Sequence, residues 1–270
     1  MGEGGGNPTD AIMTIETNPE VLAICYAQGW CANAKYMTAS EAAAVTSIGT
    51  VFYNNKDIKH FEEFEYFTSV TAIANNGFRG CTNLTILKVP TSVTTFGYDA
   101  FRSSGITDMY VYGNLTSWGN AYTFADCQLR YLYSNSQSTL FSGSATYLER
   151  LDLDSNVRIV GGFQGSANLS DVRISEGVTT FNDNCFKNCS SLQSIVLPST
   201  TSVMTHGVFN TCENLTSVTI LATTPPTGVS QYTFMNTPNA IVYVPSGSVD
   251  TYKAASGWSI WAGRIQAIPT

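Results

Sequence analysis

The sequence predicts a β-rich leucine-rich repeat solenoid of about 7–8 coils of about 23 residues, with parallel strands and α-helical N-terminal and C-terminal caps. Three observations predict it. A six-residue frame (apolar, two polar, apolar, free, apolar) recurs as Leu84/Leu87/Val89, Ile106/Met109/Val111, Leu129/Leu132/Ser134, Leu148/Leu151/Leu153, Leu169/Val172/Ile174, Leu192/Ile195/Leu197 and Leu215/Val218/Ile220. Its starts lie 22, 23, 19, 21, 23 and 23 residues apart. A phenylalanine stands about six residues ahead of each frame: Phe78, Phe101, Phe124, Phe141, Phe163, Phe186 and Phe209. Ahead of three of these, a second apolar pair sits at constant offset (Val70/Ile73, Val93/Phe96, Val178/Phe181), which reads as a second short strand on another side of the coil.

The last two apolar positions of a frame are two residues apart, so on a strand they face the same side. One coil cannot bury that side alone; the next coil stacked on it does. The resulting organisation is a flexible leader at 1–17, a helical N-terminal cap at 18–67, the solenoid at 68–245 and a C-terminal cap at 246–270.

In chain order, residues 1–10 (MGEGGGNPTD) lack the apolar stretch of a secretory signal. Either a signal has been removed or the protein is made without one. Residues 18–47 read as two helices. The first is in NPEVLAICYAQGW with Gly29 as its stop; the second opens at a Thr38-Ala-Ser-Glu41 capping box. Phe61, Phe64 and Phe67 repeat at i, i+3 and i+6, suggesting a helix over 59–67 that covers the first coil. Val242, Val244 and Pro245 repeat the strand ending of Leu197-Pro198 and mark an eighth coil. Ser246 or Ser248 is placed to cap a helix through Ala255, Gly257 suits its end, and Trp258, Trp261 and Ile265 supply the apolar seal.

The motif Phe-x-x-Cys with a leucine three residues on (Phe78/Cys81/Leu84, Phe186/Cys189/Leu192, Phe209/Cys212/Leu215), then a strand closing in Val-Pro or Leu-Pro, resembles the BspA-like leucine-rich repeats. That family belongs largely to surface proteins of gut and oral anaerobic bacteria. The stretches EAAAVTSIGTVFYNNKDIKHFEEFEYFTSVTAI and ATTPPTGVSQYTFMNTPNAIVYVPSGSVDTYKAASGWSIWAGRIQAI are similar to the family's usual N- and C-terminal segments, so the resemblance covers nearly the whole chain after about residue 18. It implies adhesion or ligand binding at an extracellular or cell-surface location, and brings no catalytic residues. The departures are Ser104, Ser144 and Ser166 in place of the cysteine, Gly162-Phe163 after a short coil, and Ser134 inside a frame. The family's habitat also keeps open a virion surface protein, a head or tail fibre component of a phage.

Composition narrows the classes. The net charge is −7, the pI is near 4.7 and 13 basic residues are scattered, which opposes a nucleic-acid partner and an anionic membrane surface. No run approaches the length of a membrane-spanning helix, so no membrane insertion is expected. The two histidines, His60 and His206, come with no metal-ligand spacing, and 31–40 offers too few carboxylates for calcium, so no metal or cofactor is expected. Glu62, Glu63 and Glu65 read as a solvated face. Asp152 and Asp154 share a strand side, but a filled coil offers no cleft for a carboxylate pair, so a polysaccharide-acting enzyme is a remote alternative. Gly161-Gly162 reads as a tight turn in a short coil, not a phosphate loop. Cys81, Cys127, Cys189 and Cys212 share one repeat position and are expected to stack as small buried thiols, the serines there suggesting a need for size over bonding. Cys185 also reads as packing, and a Cys25–Cys31 disulfide stays open.

The function expected is a non-enzymatic binding module recognising a protein or glycan partner, or other virion proteins, through its strand face. Between the last two buried positions of each frame, one residue points outward: Lys88, Tyr110, Tyr133, Asp152, Arg173, Val196 and Thr219. The neighbouring outward column is Ile86, Asp108, Tyr131, Arg150, Asp171, Ser194 and Ser217. The candidate site is therefore Tyr110, Tyr112, Tyr131, Tyr133, Arg150, Asp152, Asp171 and Arg173, since Tyr and Arg are enriched at binding hot spots. The competing reading is that these side chains merely form cross-strand ladders that stabilise the sheet.

Overall fold

The computed structural model describes residues 9–141 and 145–270. Ser144, expected in the cysteine column, lies outside them, as do the first eight residues of the expected leader. The chain divides into two compact units, Met1–Gln128 and Leu129–Thr270. Both are built from parallel-strand leucine-rich repeat coils, about nine turns of roughly 23 residues in all.

In the first unit, His60–Phe61, Ile86–Val89 and Asp108–Val111 pair in parallel, with Leu87 opposite Met109 and Lys88 opposite Tyr110. In the second, Tyr131–Ser134, Arg150–Leu153 and Asp171–Ile174 form one sheet. Ser194–Leu197, Ser217–Ile220, Ile241–Val244 and Ile265–Ala267 form another. The second short strand expected from the apolar pairs is present at Ala72–Ile73, Thr95–Phe96 and Thr180–Phe181. It also forms at Ser138–Leu140, Ile159–Gly161 and Val203–Met204.

The frame residues fill the core because the pleat turns them all to one side. Leu87, Val89, Met109, Val111, Leu132 and Leu151 are fully buried. Ser134 is buried as well, and its hydroxyl is satisfied by the Thr139 hydroxyl at 2.7 Å, which is how the coil tolerates a polar frame position. Val172 and Ile174 depart from expectation in being only half-buried, where Asp171–Ile174 ends one sheet and Ser194–Leu197 begins the next.

The phenylalanines form ladders of near-parallel rings. In the first unit Phe52, Phe78, Phe101 and Phe124 stack at 5.3, 6.1 and 5.1 Å between centroids. In the second, Phe141, Phe163, Phe186, Phe209 and Phe234 stack at 5.5, 6.1, 5.9 and 5.7 Å. The residue two past the phenylalanine is left-handed in each described coil, at Asn54, Gly80, Ser103, Asp126, Gly165, Asn188, Thr211 and Asn236. Gly and Asn suit that conformation; Thr211, β-branched at φ 58°, is the costly exception. Gly162, at φ +87°, closes the shortened coil, and a Cβ there would sit 1.9 Å from the Phe141 carbonyl oxygen.

The caps correct several expectations. The leader is not flexible to residue 17, because Ala11–Thr14 pairs antiparallel with Tyr36–Thr38. The helices Pro19–Ala27 and Ala39–Ala44 form as expected, the second closed by the Thr38/Glu41 capping box. Burial alone would raise the Glu41 pKa, but the Ala32 and Thr38 amides and the Thr38 hydroxyl outweigh it and hold the carboxyl below its usual range. The segment 59–67 is not an α-helix. His60–Phe61 is a strand and Glu62–Tyr66 a 3₁₀ helix, whose three residues per turn suit the i, i+3, i+6 spacing of Phe61, Phe64 and Phe67. All three rings are fully buried. At the other end the helix is shorter than expected, Val249–Ala254, and Ser248 stands at its N-cap without a side-chain hydrogen bond. The cap is also part of the sheet: Ile265–Ala267 continues the ladder from Ile241–Val244.

The Asn-Leu-Thr/Ser sequons are structural. Asn83 Nδ2 donates to the Lys56 carbonyl and Thr85 Oγ1 to Lys59, while Asn214 donates to Ser190 and Thr216 to Gln193. Asn168 and Ser170 do the same toward Thr146 and Glu149. Each amide and hydroxyl thus satisfies a carbonyl of the preceding coil.

All seven cysteines are buried and free, so Cys25 and Cys31 form no disulfide. The sequence suggested that size governs the cysteine column, yet bonding enters too. Cys81, Cys189 and Cys212 donate to the carbonyls of Phe52, Phe163 and Phe186, at 2.9, 3.4 and 3.0 Å. Ser166, in the same column, reaches no partner among the described residues, so the bond is not obligatory. Burial pushes the Cys81 and Cys212 thiols up to about 12; Cys25 reaches about 12 through burial and then the neighbouring Cys31. Nucleophilic thiolate is therefore scarce. Native protein is expected to leave all seven thiols unreacted with an aromatic disulfide reagent at mildly alkaline pH, and all seven to react once it is denatured. A stoichiometric fast reaction in the folded state would overturn this.

Candidate binding face

The outward columns deliver side chains because each strand places alternate residues away from the core. In the second unit the in-register rows are Tyr131–Arg150–Asp171 and Tyr133–Asp152–Arg173. Six of the eight candidate residues are thereby brought together. Arg150 Nε and a terminal guanidinium nitrogen donate to the two Asp152 oxygens at 3.0 and 2.5 Å. The Tyr131 hydroxyl donates to Asp152 at 2.9 Å, and the Arg150 guanidinium lies over the Tyr131 ring, 5.1 Å from its centroid. Arg173 donates to both Asp171 oxygens at 3.3 and 3.1 Å, and Arg150 also approaches Asp171 at 3.6 Å.

Asp154 joins this group and was missed as a site residue by the sequence reading, which noted it only beside Asp152 as a catalytic alternative. The Tyr133 hydroxyl donates to it and the Ser155 amide adds a bond of 2.6 Å. Those two donors, the tyrosine first, hold its carboxyl below the usual range. The signal was present: Tyr131-x-Tyr133 is followed 21 residues later by Asp152-x-Asp154, each tyrosine bonding the aspartate at that offset. A cavity of about 270 Å³ opens here, lined by Tyr133, Asp152, Leu153, Asp154, Arg173 and Ser175.

The remaining two candidates belong to the first unit. Tyr110 and Tyr112 stack with centroids 6.4 Å apart. Lys88, in register with Tyr110, sits 3.5 Å from Glu65 and 3.8 Å from Glu62. The acidic cluster is thus engaged and not merely solvated, since Glu63 also accepts from Asn18 at 2.8 Å. Burial, followed by Glu65, raises the Tyr112 pKa. Among the outward residues of the later coils, Val196 is exposed, and Tyr243 on Ile241–Val244 adds an aromatic that the columns ending at Thr219 did not include.

His60 lies in a strand and His206 stacks on Tyr232 at 4.4 Å. No group of three metal-ligating side chains occurs among the described residues, and no described helix is long and apolar enough to cross a membrane.

Parallel strands repeating at the coil period, with an aromatic ladder inside and a specialised outer row, define a leucine-rich repeat scaffold. The chain belongs to the BspA type leucine-rich repeat region family, whose model matches residues 25–130 and 134–253 in six copies. Among solved structures it is similar to a leucine-rich repeat protein from Bacteroides ovatus, at TM-score 0.51 and 22% identity over 77% of this chain and 56% of that one. A leucine-rich cell surface protein from Faecalibacterium prausnitzii aligns at TM-score 0.39 and 21% identity, covering 73% and 65%. The pneumococcal vaccine antigen PcpA aligns at 0.36 and 14%, covering 74% and 64%. At these identities the likeness concerns the fold alone, and the chain spans less than two thirds of each of these proteins. No curated protein matches the chain.

Proposed function

We propose that this chain is a non-enzymatic, surface-exposed binding or adhesion module that engages a protein or glycan partner through its strand face. The observation that carries this is the row formed by Tyr131, Tyr133, Arg150, Asp152, Asp171 and Arg173. Its hydroxyls and charges are fixed by one another, so the tyrosine rings are held in place before a partner arrives. Preorganised aromatic and guanidinium surface loses little entropy on association, which is what hot-spot residues exploit. The family of surface proteins in which such repeats occur supports the same reading, and Tyr110 with Tyr112 offers a further aromatic pair in the first unit.

Ladder stabilisation and binding are separable by experiment, because surface ion pairs contribute at most about 1 kcal/mol each. Replacing Tyr110, Tyr131 and Tyr133 together by Ser is expected to leave the circular dichroism spectrum intact. The same change should weaken binding on a combined array of glycans and extracellular-matrix proteins by about tenfold or more. A folded triple variant that binds at full affinity places the site elsewhere.

A further inference from the structure

We infer that the cavity between Tyr133, Asp152, Asp154 and Arg173 is a subsite for a neutral glycan, with a sugar face on the Tyr133 ring and a vicinal diol between Asp154 and Arg173. This rests on the strand-face reading above and narrows its partner to one chemical class.

The geometry comes from strand register. Tyr133, Asp152 and Arg173 are in-register neighbours on three consecutive strands, so the row spans two strand spacings, roughly 9–10 Å. That is enough length for a disaccharide along the row. The Tyr133 ring forms one end. Its hydroxyl is committed to Asp154, which fixes the ring and leaves its face as an apolar platform. Leu153 lies at the cavity wall and Ser175 adds a hydroxyl.

Charge decides between ligand classes. Asp152 is matched by Arg150, and Arg173 by Asp171, so those four charges cancel in pairs. Asp154 remains, satisfied by hydrogen bonds from Tyr133 and Ser155 and not by a cation. An acidic glycan would face Asp152 and Asp154 in a chain of net charge −7. A lysine- or arginine-rich partner would have to compete with Arg150 for Asp152. Yet hydrogen-bonding capacity is left over, because a carboxylate has about four acceptor sites and a guanidinium five donors. A ligand that both donates and accepts without net charge uses that surplus, and adjacent sugar hydroxyls do so. Arg173 is 62% exposed, so its free donors reach solvent at the cavity mouth.

The test uses the full chain on an array carrying neutral, sialylated and sulfated glycans beside extracellular-matrix proteins, read at about 50 and about 500 mM NaCl. Neutral glycans are expected to bind, with less than about a twofold change between the two salts, as no net charge is neutralised. Arg173→Ala and Asp154→Asn should each weaken that binding about tenfold while circular dichroism stays unchanged. If these variants instead lose salt-sensitive binding to acidic glycans or to proteins, the glycan class is overturned and the strand-face reading survives. If neutral glycans bind equally to wild type, to both variants and to the triple tyrosine variant, cavity and strand face both fail. A wild-type chain that binds no glycan on the array also overturns the inference.

Discussion

Phe186→Ala is expected to cost about 3–5 kcal/mol, as for other buried aromatics truncated in a core. Its ring is fully buried between Phe163 at 6.1 Å and Phe209 at 5.9 Å, with Phe181 tilted against it at 6.3 Å. The loss is two-sided, because each stacked pair adds roughly 0.5–1.5 kcal/mol beyond the area it buries. A Leu in its place keeps bulk and forfeits the ring contacts, so Phe186→Leu should fall between wild type and Ala. For a chain of this size the Ala variant should melt roughly 6–20 °C lower. Because a repeat protein is held mainly by nearest-neighbour interfaces, a broken rung also weakens the coupling of the coils on either side. Guanidinium unfolding should therefore show a lower midpoint together with a broader or split transition. A midpoint identical to wild type would mean that the ladder does not stabilise the core.

The ladder was legible because repetition exposes it: a lone phenylalanine says little, but seven at coil spacing say that one position is filled alike each time. Its two outer rungs were not read, although the signal continues. Phe52/Asn55/Ile58 and Phe234/Thr237/Ala240 keep the three-plus-three spacing, with Asn and Thr where other coils have Cys. Those side chains still bond locally, Asn55 Oδ1 to the Asp57 and Ile58 amides and Thr237 to the Phe234 carbonyl. A pattern defined by cysteine therefore lost them, while a pattern defined by hydrogen bonding would have kept them. The segment 59–67 misled for a related reason: a spacing of three fits a 3₁₀ turn as well as one face of an α-helix. His60–Phe61 also needed its partner Ile86–Leu87 to be recognised as a strand, and that is tertiary information. In the candidate site, the alternation of strand residues placed all eight side chains outward. Which carboxylate each tyrosine would hold depended on the diagonal between neighbouring coils, set by coil lengths of 19 and 21 in place of 23.

Trp258→Ala is expected to be as severe as loss of a ladder rung, about 3–5 kcal/mol, because it opens the C-terminal end of the core. The side chain is fully buried, packs edge-on to Tyr252 at 5.1 Å and tilts against Phe234 at 6.3 Å. Its Nε1 donates to the Pro226 carbonyl at 2.8 Å, and Tyr252 donates to the Ala222 carbonyl at 2.9 Å, so the cap is pinned by polar as well as apolar contacts. Gly257, immediately before, holds φ +79° with its Cα against the Val229 carbonyl, which fixes the angle at which the indole enters. A terminal coil has a neighbour on one side only, so an unsealed end frays before the interior unfolds. Trp258→Phe separates the two contributions. It keeps most of the aromatic area and leaves the Pro226 carbonyl without its donor, a loss of about 1–3 kcal/mol. Hydrogen exchange gives the spatial reading. In Trp258→Ala the amides of Ile265–Ala267 and Ile241–Val244 should lose protection first, while those of Arg150–Leu153 keep theirs until global unfolding. Uniform loss of protection along the second unit would show that this cap is not a separable end but part of one cooperative core.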